Sequence, residues 1–393
     1  MSLYAKRGVS AQKEEVHAAI QKLDQGLYPH AFCKMYPDYL MGDDAFVNIM
    51  HADGAGTKSI LAYLYWKETG DVSVWEGIAI DAVAMNLDDL LCVGVTDNIL
   101  FSSTIDRNKK VIPGSVLEAV INGTQSFFDT LASYGVLVHY LGGETADVGD
   151  VVRTIAVNGT MQSRWPKSKL ITNQNIAAGD VIVGFASSGK ASYEKEYNSG
   201  LGSNGLTSAR HDVLSTYYAE KYPETFEPTL DKDVVYLGKN KMTDTLAIEG
   251  FAEPISIGKL LLSPTRTYAP LVKKILDTHF IDIHGMIHCS GGGQTKCMKY
   301  LPGPMRIVKD NFLEVPPIFK LIQDNSGANA REMYQVFNMG HRLEIFTYES
   351  DATNLIQIAA SLGIEAQIIG RVEASATKEL VLKGSFGTET FSY

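Results

Sequence analysis

The chain has 393 residues, 45% of them hydrophobic and 20% charged, the balance of an ordinary globular protein long enough for two or three domains. A formal net charge of −10 excludes a broad nucleic-acid or membrane surface, which needs excess lysine and arginine, and leaves room for a local basic pocket that holds a phosphate. Four scattered cysteines (Cys33, Cys92, Cys289, Cys297) without a C-x-x-C pair point to neither a zinc site nor a disulfide framework, and no apolar run reaches signal-peptide or membrane-span length, so a cytosolic chain with reduced thiols is expected.

In chain order, the first predicted strand covers 46–52 and runs into Asp53-Gly54-Ala55-Gly56-Thr57-Lys58. Gly54 and Gly56 let backbone N–H groups approach an anion, Thr57 and Lys58 open a helix whose N-terminus favours phosphate, and Asp53 suits the magnesium that accompanies it. A plain glycine turn is the competing reading. A helix over 76–92 follows, with a wide apolar face of Ile80, Val83, Ala84, Leu87, Leu90 and Leu91. Asp81, Met85, Asp88 and Asp89 fall at i, i+4, i+7 and i+8 on it; either this is a solvated face, or buried carboxylates there require a cation, for which magnesium is the oxygen-seeking candidate. Next come a strand at 98–105, a helix at 115–134 with Ser115 as N-cap and Glu118 completing a capping box, and strands at 136–141 and 152–161. Between those last strands Gly142-Gly143-Glu144-Thr145-Ala146-Asp147 repeats the logic of the first turn, so Asp53, Asp88 or Asp89, and Glu144 are expected to converge beyond the strand ends.

The polar stretch 171–180 marks the expected boundary between two domains, 1–170 and 171–393. Beyond it the pattern predicts strands at 181–186, 281–287, 341–347, 365–372 and 379–382, and helices at 205–218, 265–279, 294–301, 317–325 and 351–362. The Gly/Ser/Asn-rich loop 187–205 is long enough to be functional, whereas 218–250 reads as a surface insertion without chemistry. Gly200-Leu201-Gly202-Ser203-Asn204-Gly205 matches G-x-G-x-x-G, but it lies too far from the preceding strand for a dinucleotide fold. Ser203-Asn204-Gly205 instead suggests an N-cap and anion site before a helix that carries Arg210. His284 and His288 are expected as hydrogen-bonding histidines rather than metal ligands, ahead of a glycine nest at Gly291, Gly292 and Gly293; the P-loop signature is absent.

Taken in order, these motifs resemble the phosphoribosylformylglycinamidine cyclo-ligase (AIR synthetase) family of the PurM-like superfamily. The resemblance rests on Tyr4 with Gly8-Val9; Asp53 to Lys58; Ile80-Asp81 through Met85 to Asp89-Leu90; Gly142 to Ala146; Ser187-Ser188-Gly189; Ser203 to Gly205; Leu262-Ser263-Pro264-Thr265-Arg266-Thr267-Tyr268; His284 to Gly293; and Met333-Tyr334 with Phe337-Asn338-Met339-Gly340. It implies an α/β (α+β) two-domain architecture of mixed sheets flanked by helices, with N-terminal sheets paired in a homodimer. It also implies a purine-biosynthetic ligase in which ATP phosphorylates the formyl-derived amide oxygen of formylglycinamidine ribonucleotide and an amidine nitrogen then closes the imidazole ring.

On that resemblance, Asp53, Asp88, Asp89 and Glu144 bind magnesium, and Lys22, Gly54, Gly56, Thr57, Lys58, Asp81, Gly143 and Thr145 complete the ATP site, Lys22 and Lys58 facing the phosphates. Ser203, Asn204, Gly205, Arg210 and the Gly291 to Gly293 nest hold the substrate, and Asp53, Asp89 and His284 or His288 serve the chemistry. Three positions depart from the family pattern: Pro29 to Met35 in place of a glycine-rich segment, Gly202 in place of a histidine before Ser203, and Asp88 in place of asparagine. The rival readings are a selenophosphate-synthetase-like or thiamine-phosphate-kinase-like enzyme of the same superfamily and a non-catalytic nucleotide-binding paralogue.

Overall fold

The structure is a computed structural model that describes residues 3–10, 15, 19–20 and 22–392. The first half contains α1 (Leu3–Lys6), β1 (Met35–Pro37), β2 (Phe46–Gly54), α2 (Lys58–Thr69), α3 (Val74–Leu91), β3 (Ile99–Arg107), α4 (Gly114–Ala132), β4 (Val138–Asp147) and β5 (Ile155–Pro166). Its strands form one sheet in the order β1-β2-β5-β3-β4, antiparallel except for the β3–β4 pair. Odd-numbered residues of β3, β5 and the start of β2, such as Val47, Ile49, Phe101, Ile105, Val157 and Met161, are buried on the helix side, as the two-residue period of a one-sided sheet requires. The even-numbered face carries exposed Met50 and Leu100. Helix α3 is apolar nearly all round and buried along its length, the pattern of a central helix. Helix α4 begins at Gly114 after an extended Pro113, so Ser115 lies inside its first turn and is not the cap that the sequence suggests.

The second half begins with β6 (Val181–Ala186) and a small hairpin, β7 (Ser188–Gly189) and β8 (Asn198–Ser199), followed by α5 (Leu206–Val213) and α6 (Tyr217–Lys221). Then come β9 (Thr245–Leu246), β10 (Ile255–Ser256), α7 (Ile257–Leu262), α8 (Ala269–His279), β11 (Gly285–His288), β12 (Met305–Lys309), α9 (Pro317–Ser326), α10 (Ala330–Val336), β13 (His341–Thr347), α11 (Glu349–Ala360), β14 (Ala366–Ala374), β15 (Glu379–Gly384) and β16 (Gly387–Ser392). The main sheet runs β11-β13-β6-β14-β12-β15-β16, and its central strands β6 and β13 are buried at every residue. The predicted helix at 294–301 is a 3-10 turn over Gly293–Tyr300.

The 218–250 insertion has a structural task at its start. Glu68 on α2 accepts hydrogen bonds from the Tyr222 hydroxyl at 2.7 Å and Lys221 Nζ at 2.9 Å, while Tyr63 donates to Glu224 at 2.5 Å. These bonds fasten α2 of the first half to the second half.

Candidate functional site

The carboxylates of α3 do not share a cation. Asp81 meets Lys58 Nζ at 2.8 Å and accepts from the Thr265 backbone N–H at 2.7 Å, and Lys58 donates again to the Ser263 carbonyl at 2.6 Å. Lys58 is fully buried, so it does not face a phosphate as the resemblance implies; burial lowers its pKa against the support of Asp81. Asp88 accepts from Thr267 Oγ1 at 2.5 Å and the Tyr268 N–H at 3.2 Å, with Arg342 Nη2 at 3.7 Å. Its carboxyl is raised by burial, with both oxygens engaged, and it offers no open magnesium position. The three aspartates instead tie α3 to the 263–268 segment and to the second sheet.

Asp89 is the chemically distinctive one. Its Oδ1 lies 2.7 Å from His288 Nδ1 and its Oδ2 3.1 Å from His51 Nε2. Burial alone would raise its pKa, but the bonds from His288 and His51 outweigh that and hold it well below the usual carboxylate range. Each oxygen thus accepts from one imidazole. His51 stands on the helix side of β2, two residues before Asp53, with Nδ1 3.3 Å from Asn86 Oδ1. Burial opposes its charge, yet Asp89 and Asp53 lift its pKa above 6.5. Sequence reasoning missed His51; its signal is the two-residue spacing that puts it on the same strand face as Asp53.

His288 and His284 part company. His288 is buried between Asp89 and Arg342, whose Nε is 3.1 Å from His288 Nε2. His284 Nδ1 pairs with Asp180 at 2.9 Å and its ring packs against Tyr348, so it is a structural histidine and not a partner of the Asp89 centre.

Asp53 and Glu144 do not converge within one chain. Asp53 is in register with Gly159 and Ser103 on the helix side of the sheet, whereas Glu144 is in register with Thr104 and Asn158 on the open side. Three strand spacings, ~14 Å, also separate their backbones. The register shift opposite Ser102, where β4 carries Leu141 and Gly142, sets which face Glu144 takes. Gly54 and Gly143 serve the sheet: a Cβ on the first would lie 2.1 Å from Asn158 Oδ1 and on the second 1.9 Å from the Ser103 carbonyl oxygen. Gly56, at φ +59° with open space around it, and Thr57 remain at the start of α2 beside the exposed Asp53. Thr145 is exposed on β4, and Lys22 lies exposed in a turn outside these elements.

Around the second loop, Ser203 Oγ bonds Thr265 Oγ1 at 2.8 Å, and the cap of α5 is Gly205 at φ +75°, where a Cβ would lie 2.4 Å from the Phe337 ring. The expected Ser203 cap is thus replaced by a left-handed glycine. Asn204 reaches Gly291, while Gly293 packs against the Tyr334 and Phe337 carbonyls and Gly292 adopts φ +102°. Arg210 turns into the interior, its Nη2 against His211 Nε2 at 3.1 Å and its guanidinium over Tyr236, and so does not join the Ser203 turn as expected. Among the described residues Cys289, His341 and Glu344 have metal-ligand spacing. There the Lys309 ammonium pairs with Glu344 and, despite burial, helps hold its carboxyl at about 2, while burial pushes the Cys289 thiol up. The resident cation of this cluster is a lysine.

Residues 42–164 match the AIR synthase related protein N-terminal domain, and residues 177–383 match the C-terminal domain of that family. The chain is 29% identical over 324 residues to the phosphoribosylformylglycinamidine cyclo-ligase of Methanocaldococcus jannaschii, covering 82% of this chain and 77% of that one. It is 28% identical over 397 residues to the protein of the same name from Methanococcus vannielii, covering 99% and 96%. Among solved structures, that of a HypE–HypF complex aligns with a TM-score of 0.55 at 15% identity, over 98% of this chain and 99% of the other, a likeness of fold. Among the described residues no helix is long and apolar enough to cross a membrane.

Proposed function

The chain belongs to the AIR synthase related protein family, and on that premise we propose that it is a phosphoribosylformylglycinamidine cyclo-ligase, an ATP-dependent ligase of purine biosynthesis acting in the cytosol. The reaction transfers the γ-phosphoryl group of ATP to the formyl-derived amide oxygen, and an amidine nitrogen then attacks that carbon. Phosphate departs with the C–O bond, the nitrogen gives up a proton, and the imidazole ring is closed. The observation that carries the reading is Asp89 held at the junction of the two halves between His288 and His51, which stands two residues along β2 from the exposed Asp53. Such a centre supplies what ring closure needs from the protein: orientation, a fixed negative charge, and in the partly exposed His51 an imidazole to handle a proton.

The start of α2 fits a nucleotide phosphate. Gly56 offers an open backbone turn, α2 is a 12-residue helix, and the Asp53 carboxylate is bonded only to the neighbouring Gly54 N–H at 2.7 Å among the described contacts. Magnesium there would neutralise phosphate charge. Ser203, Asn204 and the Gly291 to Gly293 backbone are the proposed substrate side, and the division between domains falls near residue 170. With ATP, magnesium and formylglycinamidine ribonucleotide the purified chain is expected to release ADP and form aminoimidazole ribonucleotide. Asp53→Asn is expected to abolish turnover while the chain stays folded by circular dichroism. ATP binding without product would instead favour a non-catalytic nucleotide-binding protein.

The homodimer belongs to the same proposal. The open face of the first sheet carries exposed Met50, Leu100 and Leu141, and Glu144 lies on that face, where a partner's sheet would cover it. Met50→Glu with Leu100→Glu is expected to convert a dimer into a monomer in analytical ultracentrifugation; a wild-type monomer at micromolar concentration would contradict the arrangement.

A further inference from the structure

Arg342 is a buried charge on β13, and one of its contacts reaches the Asp89 centre through His288. It is 1% exposed and sits at the register shift between His341 and Leu343, where β13 departs from its pairing with β6. Such an irregularity re-aims a side chain. Its Nη2 donates to the Arg266 carbonyl, Asp88 Oδ2 lies 3.7 Å away, and the guanidinium stands 5.5 Å from the centre of the Tyr268 ring. On the remaining side is Gly202, at φ +74°, where a Cβ would lie 3.0 Å from Nη1. The glycine leaves the guanidinium its room.

The contact that matters is the one to His288. Arginine has five N–H donors and no acceptor, and it keeps its proton at any pH a protein meets. Its Nε at 3.1 Å from His288 Nε2 therefore makes a hydrogen bond only if Nε2 carries the lone pair. The ring proton is then on Nδ1, 2.7 Å from Asp89 Oδ1. Both neighbours agree on the tautomer: the Asp89 carboxylate accepts from Nδ1–H, and Arg342 keeps a second proton off Nε2, so together they fix which way the His288 proton points.

We propose that Arg342 is a positioning residue of the Asp89 centre: by donating to His288 Nε2 it holds His288 as the neutral Nδ1–H tautomer, so that Asp89 receives a neutral ring on one side and keeps its charge for His51 on the other. Gly202 is the second part of the device, because a Cβ there would lie 3.0 Å from Nη1, tighter than ordinary contact, and press on the guanidinium. The role rests on the cyclo-ligase reading only for its effect on turnover; the tautomer exists without substrate.

The test separates the two. In the full-length chain labelled with 15N-histidine, long-range proton–nitrogen correlation reads each ring directly, and His288→Gln identifies the resonance. The wild type is expected to show a proton on Nδ1 and none on Nε2. Arg342→Met is expected to lose that pattern and to lower kcat 10- to 100-fold with KM for ATP changed less than about twofold. Arg342→Lys, which retains one donor for Nε2, is expected to restore the tautomer and most of kcat. Should Arg342→Met fail to fold, the wild-type ring decides the tautomer by itself, and Gly202→Ala, which presses on Nη1, is expected to shift the His288 nitrogen resonances in the same direction by a smaller amount. A proton on Nε2 of wild-type His288, or an Arg342→Met ring identical to the wild type, overturns the proposal. If the wild type makes no product, the cyclo-ligase reading fails while the tautomer still decides this one.

Discussion

Lys58→Met is expected to destabilise the fold by about 3–5 kcal/mol, the usual consequence of removing one partner from a buried ion pair. Lys58 and Asp81 are both fully buried, 2.8 Å apart. Without the ammonium, Asp81 keeps one N–H, that of Thr265, for a full negative charge, and its second oxygen already lacks a hydrogen-bond partner. The Ser263 carbonyl loses its donor as well. The charge-free pair Lys58→Met with Asp81→Leu is expected to recover most of the loss, since two apolar groups leave nothing to compensate. Urea denaturation of the wild type, both single variants and the double variant measures this as a cycle. The same variants separate a structural lysine from a phosphate-binding one. A lysine facing ATP would weaken nucleotide binding with little change in unfolding midpoint, and that result would contradict the buried-pair account.

The comparison with the sequence turns on distance along the chain. That the carboxylates of the helix at 76–92 need counter-charges follows from their apolar surroundings, and they have them. Which counter-charges could not be read locally, because Thr265 stands 184 residues from Asp81 and His288 stands 199 from Asp89. The face that Glu144 takes is a question of another kind. Alternation assigns a strand residue to a face only while the register is unbroken, and the paired glycines 142 and 143 were the available hint of a bulge. Arg342 carries a signal of its own: a charged residue in a strand with Leu343, Ile345 and Phe346 has to be paired once that strand is buried, and pairing across two halves is seldom decorative. The mixed α/β class and the order of most elements were legible because apolar periodicity is local. The 3-10 turn at 293–300 was not, since a short buried helical run has the same composition as an α-helix.

Asp89→Asn is expected to lower kcat roughly 100- to 1000-fold while leaving the fold intact, the range seen when a positioned acid–base or electrostatic group is lost. The change is nearly isosteric, so packing around α3 is preserved. The charge is not. Asp89 accepts from two rings at once, and an amide has a single acceptor oxygen, so one of its two contacts must become an N–H facing a ring nitrogen. With Arg342 donating to the far side of His288, that ring presents Nδ1–H and claims the oxygen. His51 is then left against the amide N–H, a donor it can face only as an acceptor. Its pKa, held above 6.5 chiefly by Asp89 against the cost of burial, is expected to fall. The sign follows: with the anion gone, the protonated ring loses support, and the limb of the pH–kcat/KM profile governed by His51 moves to lower pH. Asp89→Ala, which removes acceptor and shape together, is expected to show the same shift with a lower melting temperature. The profile of the wild type against Asp89→Asn from pH 5 to 9, with thermal melts as the folding control, measures both effects. An unchanged kcat would remove Asp89 from the chemistry, and a lowered kcat with an unmoved profile would leave it acting on the substrate without His51.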